Sequence, residues 1–90
     1  MFRMWARLYK GSRCVKDHVA KDCTERSRTA KVFAALDEIC YEFDLAKPIW
    51  LDKNVKEFKK LDRTTFTQDN FIETVAFDRM QVEVIEEDNP

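Results

Sequence analysis

Ninety residues with 44% hydrophobic and 12% aromatic content, one glycine and two prolines suit one packed domain over residues 1–90 and exclude a disordered or low-complexity chain. No run approaches the roughly 20 apolar residues of a membrane span, and the opening MFRMWARLYK interrupts its apolar residues with charge, unlike a signal peptide, so a cytoplasmic protein without a membrane partner is expected. The net charge of −1 hides a polarity, because residues 1–35 hold nine Lys/Arg against three acids and residues 36–90 hold seven against fourteen.

In chain order, residues 2–9 alternate, with Phe2, Met4, Ala6 and Leu8 pointing one way and Arg3, Trp5, Arg7 and Tyr9 the other. A period of two predicts a strand. Lys10-Gly11-Ser12 carries the sole glycine, the residue that accepts the positive φ of a tight hairpin turn. Residues 13–20 then return as a second strand, with Val15 and Val19 on one face and Cys14, Lys16 and His18 on the other. Polar residues 21–26 read as a loop, and Thr24 or Ser27 supplies the cap of the helix that follows.

In that helix Val32, Phe33, Leu36, Ile39, Cys40 and Phe43 recur at helical spacing as one apolar stripe, while Lys31, Asp37, Glu38 and Glu42 form the solvated side. It must end by Lys47, since Pro48 disfavours helical backbone in the residue before it. Ile49-Trp50-Leu51 follows as an apolar anchor. Asp52 then caps a second helix over residues 53–61, with Val55, Phe58 and Leu61 inward and Lys53, Lys56, Lys59 and Lys60 outward. Residues 63–66 are extended, Thr67 caps a short helical turn within residues 68–73, and residues 77–85 form a strand with Met80, Val82 and Val84 alternating against Arg79, Gln81 and Glu83. An acidic tail, residues 86–90, closes the chain.

The order strand, strand, helix, helix, strand predicts an α+β fold. It is a small two-layer sandwich in which an antiparallel three-stranded sheet carries both helices on one face. The last strand is expected beside the hairpin, where its acids meet the hairpin's arginines. The charge asymmetry marks either a face for nucleic acid or an acidic partner, or two halves that neutralise each other on folding, and the second is the simpler account.

The segments EICYEFDLAKPIWLD (residues 38–52), FTQDNFIE (residues 66–73) and VIEED (residues 84–88) are similar to those of a group of short, uncharacterised bacterial proteins of the gut Firmicutes type. The likeness covers nearly the whole chain. It implies a small bacterial cytoplasmic protein and brings no activity, cofactor or catalytic residue.

Cys14, His18, Cys23 and Cys40 make a ligand set of a kind zinc accepts. A strand would hold Cys14 and His18 about 13 Å apart, and no C-x-x-C pair is present, so no metal or other cofactor is expected. The three cysteines read instead as free thiols in a reducing compartment. The same spacing denies a Cys/His pair, Ser12 and Ser27 lack a nearby base, and one glycine cannot build a phosphate loop. The chain is therefore read as non-enzymatic, with no small-molecule substrate.

The preferred role is a protein-protein interaction or regulatory module whose partner is another protein or a second copy. Arg3, Trp5, Arg7 and Tyr9 share one strand face, Arg13 extends it, and Tyr41 lies on a weaker apolar line with Ala30, Ala34 and Leu45. These six residues, Arg3, Trp5, Arg7, Tyr9, Arg13 and Tyr41, are the candidate binding residues. The alternative is single-stranded nucleic-acid binding, in which the aromatics stack bases and the arginines meet phosphates. The same residues also suit packing beneath a helix or pairing with Glu83 and Glu86. The lysines of residues 53–60, with Arg63, fit an anion site but more often mark a solvated helix face.

Overall fold

Alternation builds the sheet. The computed structural model describes residues 1–87. In β1 (Phe2–Lys10) Phe2, Met4, Ala6 and Leu8 are buried, while Arg3, Trp5, Arg7 and Tyr9 are only half-buried on the opposite side. Gly11, at φ +60°, turns the chain into β2 (Arg13–Asp22), which pairs antiparallel with β1. On the other side of β1 lies β4 (Arg79–Glu86), also antiparallel, and β3 (Arg63–Phe66) pairs with β4 to give the order β2-β1-β4-β3.

The sheet thus has four strands where three were expected. Residues 63–66 form a full strand: Thr64 and Phe66 alternate inward opposite Val82 and Met80 and complete the ladder on the far edge of β4. Four residues are too few for their period to stand out in the sequence. The hairpin is also less regular than expected. Its register passes from Leu8↔Lys16 to Tyr9↔Cys14, which leaves Val15 bulged out, 45% exposed and out of phase with Val19. β2 continues to Asp22, past the expected end at Ala20, and β4 begins at Arg79 and not at Phe77.

Ser27 caps α1 (Arg28–Glu42) by accepting from the Ala30 N–H at 3.2 Å. The helix stops well before Pro48, because Asp44 turns left-handed at φ +54° and the Leu45 N–H closes back on the Cys40 carbonyl. Val32, Ala35, Leu36, Ile39, Cys40 and Phe43 face the sheet, but Phe33 is 50% exposed. The buried line is centred nearer Ala35 than expected, so Phe33 falls on the flank, where its ring meets Trp50 edge-on at 6.1 Å.

Asp52 opens α2 (Asp52–Leu61) as its first helical residue, with Leu51 at the cap position. Only Asn54 and Phe58 are buried in this helix, so Val55 and Leu61 are outside the core they were expected to join. A single 3-10 turn, Gln68–Asn70, follows β3 and is shorter than the segment expected there. Both helices lie on the side of the sheet that carries Met4, Met80, Val82 and Phe66, and one core joins them. The opposite side has no covering element among the described residues. Of the expected acidic tail, Glu86 ends β4 and Glu87 follows it, and residues 88–90 lie outside the described residues. No helix among the described residues is long and apolar enough to cross a membrane.

The open face of the sheet as candidate functional site

Because β1 is central, its outward residues form the middle of the uncovered face. The registers set Arg7 between Asp17 and Gln81, and Trp5 between Val19 and Glu83. Arg7 lies over the Trp5 ring at 4.1 Å and 6.0 Å from that of Tyr9, and Arg79 of β4 covers Tyr9 at 4.1 Å. Aromatic rings and guanidinium groups therefore alternate, an arrangement the negative π face favours.

Polar contacts fix the ladder. Arg7 donates to Gln81 at 3.1 Å and to Glu83 at 3.5 Å, Arg3 pairs with Glu86 at 2.5 Å, and the Trp5 indole N–H donates to Asp17 at 3.0 Å. Arg79 reaches the Gly11 carbonyl at 3.1 Å, while the Asp78 carboxylate accepts from the Gly11 N–H. The acids of β4 thus meet the arginines of β1, which neutralises much of the charge asymmetry locally. Lys21 and Arg63 stand at the two margins of the face without an ion-pair partner among the described residues. The Arg7 Nε–H is buried and unbonded among them.

Four of the six candidate residues, Arg3, Trp5, Arg7 and Tyr9, are brought together. Arg13 is not: it pairs with Lys10 at the hairpin tip, one residue out of phase with Tyr9, so alternation turns it to the other side. Tyr41, 84% exposed, projects from α1, the layer behind the sheet.

The thiols and the imidazole do not converge. Cys40 is buried in the core, Cys14 and Cys23 are exposed near the two ends of β2, and His18 contacts Glu38 of α1 at 2.6 Å. No group of three or more His, Cys, Asp or Glu among the described residues is placed to hold a metal ion. Burial, aided by nearby Asp37, pushes the Cys40 thiol up to about 11, so it stays protonated. Asp22 shifts the other way: bonds from the Thr24 hydroxyl and N–H, with Arg26 and Lys31 nearby, hold its carboxyl below the usual range.

Sequence reasoning missed two features. Beneath the sheet, Asn54 donates to the Thr64 hydroxyl at 2.9 Å and the Thr65 carbonyl at 3.0 Å, and its own oxygen accepts from Leu51 N–H and Asn70. Asn70 in turn donates to the Ile49 carbonyl and accepts from Thr67 N–H, which ties the loop before α2 to the turn after β3. Both asparagines are wholly buried, and their bonds close within the protein, a structural role. Each stands three residues after the backbone N–H it accepts, a capping signal that the sequence does carry. The second feature is a shallow apolar groove of about 310 Å³ between the helices, lined by Val32, Phe33, Trp50, Val55 and Phe58, with Arg28 and Lys59 at its rim. Arg28 is engaged there by Asp62 and Glu87.

No protein-family model matches this chain, and neither the curated proteins nor the solved structures contain a match.

Proposed function

We propose that this chain is a cytoplasmic, non-enzymatic interaction module that docks another protein on the open face of its sheet. The observation that carries this reading is the location of Trp5, Arg7 and Tyr9: they occupy an inner strand on the side that no helix among the described residues covers. A half-exposed Trp and Tyr held by guanidinium groups make a rigid patch with apolar and hydrogen-bonding character, the composition enriched in protein interfaces. The acids of the face are already engaged, whereas Lys21 and Arg63 are not, so the matching partner has an apolar centre and an acidic margin. The likeness to short bacterial proteins adds a setting and no chemistry.

Nucleic-acid binding is supported less well. Stacking needs a bare ring, and Arg7 and Arg79 lie over Trp5 and Tyr9. Phosphate binding needs available cations, and Arg3 and Arg7 are paired with Glu86 and Glu83.

The test compares partner capture by the native chain, a Trp5→Ser/Tyr9→Ser variant and a Tyr41→Ser variant, with circular dichroism confirming that each folds. A partner retained by the native chain and by Tyr41→Ser, but lost by the face variant, is the expected result. Equal capture by all three overturns the reading. Salt-sensitive binding of a single-stranded oligonucleotide that the face variant abolishes would replace it with the nucleic-acid alternative.

A further inference from the structure

The two edges of the sheet differ in length. β3 is four residues long, whereas β2 offers ten residues with β1 on one side and no strand on the other among the described residues. Bare edges of that length are templates for another strand. We propose that β2 pairs with β2 of a second copy of this chain, antiparallel about a two-fold axis through Val19, so that two sheets join into one of eight strands. The inference rests on the reading that the chain works by association, but it uses the backbone edge of β2 and the margin of the open face beside it, and not the Trp5 and Tyr9 rings.

Charge selects the register. Between residues 16 and 22 the pairing of β2 with β1 is unbroken, so alternate residues aim their N–H and C=O groups at β1 and the others aim outward. A two-fold partner can therefore set only residues of like parity opposite one another, with the axis through a residue. An axis at Lys16 or Asp17 brings like charges face to face. At His18 it opposes two imidazoles and sets Asp17 against Val19, and at Ala20 it sets Val19 against Lys21. At Val19, by contrast, Asp17 meets Lys21 twice, Lys16 meets Asp22 twice, and Val19 meets its twin. Opposite charges directly across an antiparallel pair stabilise it, and like charges do the reverse.

The groups are free to do this. Asp17, Val19 and Lys21 share the open face with Trp5, and Lys21 has no partner among the described residues. Asp17 uses one oxygen for the Trp5 indole, which leaves the other for Lys21 of the second copy. Asp22 is already engaged by Thr24 and Arg26, so the Asp17–Lys21 pair decides the register.

The helices also fit. The Glu38 contact to His18 places that flank of α1 above β2. Joined edges stand about 4.8 Å apart, so helices lying over their own β1–β2 pairs would be about 10 Å from each other, an ordinary interhelical distance. Ala34 and Tyr41, four residues before and three after Glu38, adjoin this flank, and the dyad would give the exposed Tyr41 a cover.

Sedimentation equilibrium of the full chain, from low micromolar to millimolar, is expected to show a dimer. Lys21→Asp and Asp17→Lys should each weaken it roughly tenfold or more, and the double exchange Asp17→Lys/Lys21→Asp should restore it. Far-ultraviolet circular dichroism of Lys21→Asp, an exposed position, separates lost pairing from lost folding. A chain that stays monomeric throughout, or a dimer indifferent to the single exchanges, overturns the inference. Either result leaves the Trp5/Tyr9 capture test standing, because that test changes the two rings and reads a foreign partner, whereas this one reads the mass of the chain itself.

Discussion

The two faces of the sheet treat polar groups in opposite ways. Under the helices, Asn54, Asn70 and Thr64 are enclosed and linked in a chain of bonds that runs from the loop before α2 to the turn after β3. On the open face Arg3 and Arg7 pair sideways with acids of β4, and Arg79 reaches the hairpin turn at Gly11, all within reach of solvent. Removing one partner from Asn54, Asn70 or Thr64 leaves a group that water cannot reach, although the Trp50 indole N–H is buried on the same side without a bond among the described residues. The open groups need no such closure, so their side chains are available for recognition.

The sharpest way to break this contrast is to truncate one aromatic on each side. Phe66 is fully buried and its ring meets Trp50 at 5.1 Å, so Phe66→Ala should cost about 3 to 5 kcal/mol in urea denaturation, a large share of a small domain's stability. Trp5→Ala removes a cation-π contact and an exposed hydrogen bond, and its cost should be about 1 kcal/mol. Equal losses would mean that the open face is part of the core.

Next comes the covered network. Asn54→Ala strands the Leu51 N–H and the Asn70 amide together, and should cost about 2 to 4 kcal/mol by the same measurement. Arg7→Met, on the other side, leaves Gln81 and Glu83 open to water and should cost less than about 1 kcal/mol.

That asymmetry also explains what the sequence could disclose. The strict alternation of β1 and the stripe of α1 are one-body patterns, so the α+β class, the helix-covered face and the pairing of Glu83 and Glu86 with the arginines were all legible. β3 does not stand out as a strand because its four residues gain their meaning from Met80 and Val82 on another strand. The Val15 bulge hid for a similar reason, since a change of phase within one strand shows only against its neighbour. Spacing alone turns Phe33 and Val55 inward, whereas both are exposed, because helical spacing fixes a face but not where its centre lies. Of the candidate site, β1 supplies four residues that do converge, whereas Arg13 lies across a turn whose phase the sequence leaves open.

A smaller effect is confined to acid. Asp22 sits at the end of β2 on the covered side, and the Thr24 bonds hold its folded carboxyl below the ordinary carboxylate range, so the native state favours the carboxylate. Its contribution is therefore present above the unfolded value and lost as pH falls through the folded one. Asp22→Asn should lower stability near neutrality and flatten the acid limb of the stability curve, with the two proteins converging below that pH. A constant difference from neutral pH into acid would show that the loss lies in packing and not in charge.

The smallest expected change compares the two helix ends, each closed by a left-handed aspartate: Asp44 at φ +54° and Asp62 at φ +57°. Non-glycine residues pay for this conformation, and glycine at such an end is usually preferred. Asp62 has a compensation, because its carboxylate accepts from Arg28 at 2.6 Å, whereas the exposed Asp44 side chain has no partner among the described residues. Asp44→Gly should therefore raise stability by about 0.5 to 1 kcal/mol, seen as a rise of a few degrees in Tm. Asp62→Gly relieves the same strain but frees Arg28 from the end of α2, so its net change should be near zero or negative. Equal gains at both sites would mean that the Arg28–Asp62 pair, exposed on both sides, contributes nothing to holding α2 against α1.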